Sequence, residues 1–145
     1  MIREIKPFET YSVRNEVLRK GKPIETCYFE GDNAETTMHF GLEHHTEIIG
    51  VVSVYQVNNK LFDAEIQFQI RGMAVLETHQ HKGYGALLIE RAEKYCFVKN
   101  ASVIWFNARE KAVPFYKKKG YTSIGDSFEI PEVGTHFVMF KVNKI

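Results

Sequence analysis

Between Gln80 and Gly85 the chain reads Gln-His-Lys-Gly-Tyr-Gly, after a strand-like run and before an amphipathic helical stretch. The first turn of a helix has unpaired backbone N–H groups and a partial positive charge. Glycine there reaches backbone conformations closed to other residues and lets an anion approach without meeting a Cβ. Strand, glycine-rich turn and helix in that order make an anion site. The turn lacks both the Gly-x-x-x-x-Gly-Lys-Ser/Thr of a P-loop and the three spaced glycines of a dinucleotide site. Gly83 and Gly85 alone leave two readings open: a phosphate cradle, or a helix whose first turn happens to hold two glycines.

Other residues could do chemistry. Tyr116 lies on a short amphipathic stretch, where a tyrosine is either a core side chain or, with a reference pKa of ~10, a proton donor at neutral pH. On the strand before the glycine turn, Gln67, Gln69, Arg71 and Met73 alternate with Ile66, Phe68 and Ile70, so one side is polar and the other dry. Arg71 on the polar side would hold a substrate carboxylate in a bidentate pair, or else pair with a structural carboxylate. His44-His45 and His79-x-His81 raise a metal site, but they fall in separate polar loops without a cysteine partner, and no metal is expected. Lys117-Lys118-Lys119 complements a helix C-terminus better than it serves nucleic acid.

The elements that must position these residues follow from periodicity. Residues 1–6 form a short strand and 8–20 a helix stopped by Gly21 and Pro23; residues 24–35 carry only the turn signal Gly31-Asp32-Asn33. Strands follow at 36–45, at 47–57 with Gly50 as a bulge, and at 61–75. Residues 83–99 form a helix with an apolar stripe of Tyr84, Leu87, Leu88, Ala92, Tyr95 and Cys96. A buried strand spans 102–106. A helix spans 109–119, with Asn107 capping its start, Pro114 near its beginning and Gly120 beyond its end. Strands at 121–124 and 135–142 close the chain, joined by a loop with Gly125, Pro131 and Gly134. The result is one mixed α/β domain over residues 1–145.

Composition narrows the function. With 145 residues, 44% hydrophobic and 26% charged, the chain is an ordinary globular domain. A net charge of +1 supplies no global field for nucleic acid, so an anionic ligand must be recognised locally. Cys27 and Cys96 read as two reduced, buried thiols. No signal-like N-terminal run and no membrane-length apolar stretch is present, so no membrane association and a cytoplasmic location are expected.

Two motifs carry a family resemblance. Gln80-x-x-Gly83-x-Gly85, preceded by Met73-Ala74-Val75, resembles the (Gln/Arg)-x-x-Gly-x-(Gly/Ala) signature of the GNAT superfamily of N-acetyltransferases. Asn107-Ala108 and Phe115-Tyr116-x-Lys118-x-Gly120-Tyr121 resemble its second signature, and the element order is similar from near the N-terminus to residue 142. The resemblance implies a mixed, mostly antiparallel sheet with two splayed central parallel strands, flanking helices, and acyl-CoA between the splayed strands. It implies that acetyl-CoA pairs with Met73, Ala74 and Val75 main chain, as in β-augmentation. Its pyrophosphate would rest on the N–H groups of Gln80, His81, Lys82, Gly83, Tyr84, Gly85 and Ala86, with Lys82 adding charge and Asn107 a further contact. Tyr116 becomes the general acid, and Tyr121 a packing residue.

One position departs from that pattern. Histone-modifying relatives place a glutamate base where this chain has Gln69, which cannot accept the proton. Replacement bases are His39, His136 and Glu65. Gln69 and Arg71 then face the acceptor, a primary amine on a small molecule. The missing carboxylate also leaves an alternative, an acyl-CoA-binding sensor without turnover. Many relatives dimerise, so a homodimer is compatible with the resemblance.

Overall fold

The computed structural model describes residues 1–143. Its strands are β1 (Ile2–Ile5), β2 (Met38–His44), β3 (Glu47–Tyr55), β4 (Gln67–Val75), β5 (Val103–Arg109), β6 (Thr122–Ile130) and β7 (Gly134–Val142). They form one seven-stranded sheet in the order β1-β2-β3-β4-β5-β7-β6, antiparallel except where β4 meets β5. The helices are α1 (Tyr11–Leu18), α2 (Tyr84–Val98) and α3 (Val113–Lys118). The β4–α2–β5 crossover accounts for the parallel pair, because parallel neighbours need a long connection.

The two faces of the sheet are covered differently. On one, α2 buries Leu88, Ile89, Ala92 and Cys96 against Phe40, Val52, Phe68, Ile70 and Ile104. On the other, Val13 and Val17 of α1 pack on Ile5, Val51 and Ala74. The predicted α2 stripe is off by one position: Leu87 is exposed and Ile89 is buried. The run Ile48-Ile49-Gly50-Val51-Val52 suits β3 because β-branched side chains pack well on a pleated surface.

Gly72 decides which way β4 points. Val51 lies opposite Ala74 and Ser53 opposite Arg71, so Val52 alone faces both Gly72 and Met73. Gly72 has φ +66°, and a Cβ on it would stand 3.1 Å from the Phe29 ring. This is a glycine bulge, and it shifts the alternation by one residue. Phe68 and Ile70 face α2, and after the bulge Met73 and Val75 do too, while Ala74 faces α1. The simple alternation that puts Met73 beside Gln69 and Arg71 is therefore wrong. A second irregularity, between β2 and β3, makes Ile49 the extra residue, next to Gly50.

Asn107 does not cap a helix. It sits inside β5, opposite Val138, because β5 runs on to Arg109. A 3-10 turn over Glu110–Ala112 follows, and the regular helix starts only at Val113, which puts Pro114 in its first turn. β6 likewise runs to Ile130, so the loop between the last strands shrinks to a short turn.

Candidate active site

The parallel ladder between β4 and β5 has three rungs: Gln67 with Val103, Phe68 with Ile104, and Gln69 with Trp105. Beyond them the strands part. β4 keeps to β3 as far as Val75, and β5 keeps to β7 as far as Arg109. The sheet opens in the middle, and the Ile70–Val75 edge that faces β5 has no strand partner among the described residues. An extended arm can add there as a strand.

At the wide end stands the glycine turn. Gly83 precedes α2 with φ +82°, a conformation that suits glycine, and no side chain caps the helix. The Gln80 amide donates to the Val75 carbonyl at 2.8 Å, which ties the turn to the end of β4. His81 also takes a left-handed conformation, φ 63°. Leu87 N–H bonds Gly83 at 3.3 Å, so the N–H groups of Tyr84, Gly85 and Ala86 precede the first helical bond. An added Cβ at Gly83 would meet nothing within 4 Å, and one at Gly85 only Met73 Cε at 3.9 Å. Packing therefore does not demand glycine at 85.

A cavity of about 230 Å³ fills the split itself, and Met73, Asn107, Tyr116, Arg71 and His136 line it. Tyr116 stands on the α2 side, its ring 4.4 Å from Phe106 and 5.1 Å from Phe115. Burial alone pushes its phenol up to about 12. Tyr121 is different: it is buried, donates to Glu93 at 2.9 Å, and lies beneath Lys141, which bonds the same carboxylate. It packs, as the resemblance implies.

The split opens on the α1 side into a larger cavity of about 590 Å³. Gln69 lines it, and Arg71, Gly72, Asn107, Arg109 and His136 are shared with the split. His136 lies directly opposite Arg109 across the β5–β7 ladder. Its Nδ1 is 2.8 Å from the Gly134 carbonyl. A carbonyl only accepts, so Nδ1 is the donor, which makes Nε2 the acceptor in the neutral ring. Arg71 stacks 5.2 Å from the rings of both Phe29 and Tyr55, and has no carboxylate partner among the described residues.

The structural ion pair belongs instead to Arg14, which the sequence reading did not single out. Fully buried on α1, it donates to Asp32 at 2.7 and 3.1 Å, to Ser53 and to Tyr55. His39 joins this network: Nδ1 is 2.6 Å from Ser53 Oγ, and Nε2 is 2.9 Å from the Asp32 carbonyl. Both ring nitrogens are occupied, burial lowers its pKa, and the side chain lines neither cavity of the split. Glu65 is exposed in the loop before β4 and lines neither cavity. The structure thus gathers His136 with Tyr116, Arg71 and Asn107, and leaves out His39 and Glu65.

The histidine pairs are not as separate as their loops imply. The His44 ring lies 4.2 Å from His45 and 5.1 Å from His79. No three metal-ligating side chains among the described residues converge as a metal site requires. Both cysteines are free and buried. No helix among the described residues is long and apolar enough to cross a membrane.

Sequence reasoning missed Arg19, Lys22 and Arg109 as cavity residues. For Arg109 the signal was available: Trp105, Asn107 and Arg109 continue one alternating face if β5 is extended by three residues. Arg19 and Lys22 arrive with the chain after α1, which has no such pattern.

A split parallel pair, a free strand edge and an uncapped glycine turn define an acyl-CoA-dependent N-acyltransferase. The sequence matches the acetyltransferase (GNAT) family over residues 3–121, and the chain belongs to that family. It is 31% identical to the uncharacterized N-acetyltransferase YitI of Bacillus subtilis (strain 168), over 97% of this chain and 94% of that one. The fold is shared with ElaA of Escherichia coli, with a TM-score of 0.78 and 14% identity over 97% of this chain and 98% of that chain. It is also shared with an aminoglycoside 6'-N-acetyltransferase complexed with coenzyme A, with a TM-score of 0.76 and 13% identity over 98% and 96% of the two chains. The chain is an N-acetyltransferase that uses acyl-CoA as cosubstrate.

Proposed function

We propose that the protein moves an acetyl group from acetyl-CoA to the primary amine of a small acceptor by direct attack. The observation that carries this reading is the placement of Tyr116 and His136 on one cavity within the split. The pantetheine arm pairs with the free edge of Met73, Ala74 and Val75, and the pyrophosphate rests on the turn from Gln80 to Ala86. A backbone N–H near Met73, aimed by the Gly72 bulge, stabilises charge on the thioester oxygen without side-chain reorganisation.

The amine nitrogen forms its bond to the carbonyl carbon as the carbon–sulfur bond breaks. His136 Nε2 accepts the proton the nitrogen gives up, and Tyr116 donates one to the leaving thiolate. Solvent returns both residues to their starting states. A phenol near 12 is a weak acid for an exposed thiolate. Inside the protein burial also pushes thiols up, as it does Cys96, which brings donor and acceptor closer together. His136 takes the part that Gln69 cannot. Gln69 and Arg71 contact the acceptor from the cavity wall, and Asn107 lies where donor and acceptor meet.

Incubation with acetyl-CoA and a panel of amines tests this reading through release of free thiol. The reading requires acceptor-dependent release that falls sharply in Tyr116→Phe. Full activity in that variant would remove Tyr116 from the reaction.

A further inference from the structure

The larger cavity holds an unusual share of the protein's positive charge. Arg71 comes from β4, Arg109 from β5, and Arg19 and Lys22 from the end of α1 and the turn after it. The opposing charge is Glu132, on the turn between β6 and β7, which stands 3.8 Å from Lys22 at an exposed rim. His136 of β7 completes the titratable set. The whole chain has a net charge of only +1, so this concentration is local. The nearby buried carboxylate, Asp32, is already neutralised by Arg14 at 2.7 Å and offers nothing to a bound cation. Arg71 is held by the Phe29 and Tyr55 rings, with its guanidinium unpaired among the described residues.

We infer that the acceptor is an amine that also carries a carboxylate or phosphate group, bound by Arg71 and Arg109 in this cavity; the inference rests on the acyl-transfer reading above. Guanidinium forks match both oxyanions in bidentate pairs. Bringing a polycation such as a polyamine beside four like charges is unfavourable, with one rim carboxylate to offset them. The same charges help the chemistry. An ammonium beside cations is disfavoured relative to the free amine, so the lining shifts the bound acceptor toward its nucleophilic form. That offsets part of what the chain lacks at Gln69.

The test measures thiol release from acetyl-CoA with matched acceptors: glutamate against its diamide, in which both carboxylates are amides, glucosamine 6-phosphate against glucosamine, and spermidine and kanamycin as polycations. The glutamate and sugar-phosphate arms separate carboxylate from phosphate. The anionic member of at least one pair should exceed its neutral partner by about tenfold or more in kcat/KM, and the advantage should shrink with added salt. Arg109→Gln, at an exposed position that should not disturb folding, and Arg71→Gln should raise KM for that acceptor more than KM for acetyl-CoA. Preference for spermidine, kanamycin or the neutral partners overturns the inference and leaves acyl transfer standing. So does an anionic acceptor whose KM neither variant moves. If no amine is acetylated, thermal shifts of the CoA-loaded protein decide: stabilisation by an anionic member over its neutral partner, lost in Arg71→Gln, supports the anionic site, and its absence overturns it. Absence of any shift with acetyl-CoA itself overturns the acyl-transfer reading.

Discussion

Arg14 and Asp32 form a two-pronged ion pair that ties α1 to the segment before β2, with Nη1–Oδ2 2.7 Å and Nη2–Oδ1 3.1 Å. Tyr55 Oη and Phe29 N–H also donate to the same carboxylate, at 2.6 and 2.9 Å. Removing one partner of a buried pair strands the other charge. Arg14→Met should therefore cost roughly 3–5 kcal/mol, read from the urea midpoint. Arg14→Met combined with Asp32→Leu should recover much of that loss. If the single variant unfolds at the wild-type midpoint, the pair does not hold α1 to the sheet.

The same network makes stability depend on pH. Burial lowers the His39 pKa below 6.5, against the pull of Asp32. Burial opposes ionisation of Asp32, but hydrogen bonds from Arg14, Tyr55 and Phe29 outweigh it and hold the carboxyl below 3.8. In both cases the unfolded chain takes up the proton first on acidification, so stability falls with falling pH. The His39 contribution is complete above 6.5 and is lost below it, and the Asp32 contribution is lost below 3.8. Thermal melts from about pH 7.5 to about pH 4.5 should show a fall in Tm that His39→Gln flattens.

Tyr116→Phe should lower kcat by roughly 10²–10⁴, the usual range for a positioned acid, with KM for acetyl-CoA little changed. Because burial pushes the phenol up to about 12, deprotonation of Tyr116 should produce no alkaline fall in kcat at ordinary assay pH. An alkaline limb near neutrality would identify a different acid.

His136→Asn should lower kcat by about 10² if Nε2 takes the amine proton. His39→Asn should change stability without such a loss, because both of its ring nitrogens are occupied elsewhere. Steady-state rates beside urea midpoints for the two variants separate a base from a structural histidine.

Gly85→Ala and Gly72→Ala should have opposite signatures. A methyl at 85 meets only Met73 Cε at 3.9 Å. Alanine also favours a helix over glycine by about 1 kcal/mol, so the fold should be as stable or more so. Its acetyl-CoA-induced thermal shift should be kept, because the signature that this turn resembles takes glycine or alanine at that position. At 72, φ +66° and the Phe29 ring at 3.1 Å oppose any Cβ. Gly72→Ala should cost roughly 1–3 kcal/mol and reduce kcat as the Met73 N–H shifts.

The glycine turn was legible because its residues are close in sequence. Gln80 to Ala86 lie on one turn, and Tyr116 falls within a recognisable pattern. The larger cavity is assembled from five distant segments, and its decisive local feature is a bulge. Nothing in Arg71-Gly72-Met73 distinguishes a bulged glycine from one in a plain strand; the difference is set by Val52 across the ladder and by Phe29 above it. Arg14 was hidden for a similar reason. Its partner, Asp32, lies in a stretch whose only local signal was a turn. Asn107 was misplaced because a cap-type residue before a helical stretch satisfies the local rule, whereas pairing with β7 keeps it in the strand.

The rung between Gln69 and Trp105, where the sheet begins to part, also equips the protein with an optical reporter. Trp105 is the single tryptophan of the chain. Its indole is pinned to the Val57 carbonyl at 2.9 Å, two residues before Asn107 on the same strand face. Its emission therefore originates at the closed end of the cleft, undiluted by any other indole. A change in that emission on adding a ligand would report on the closed end of the cleft in unlabelled protein, by fluorescence alone.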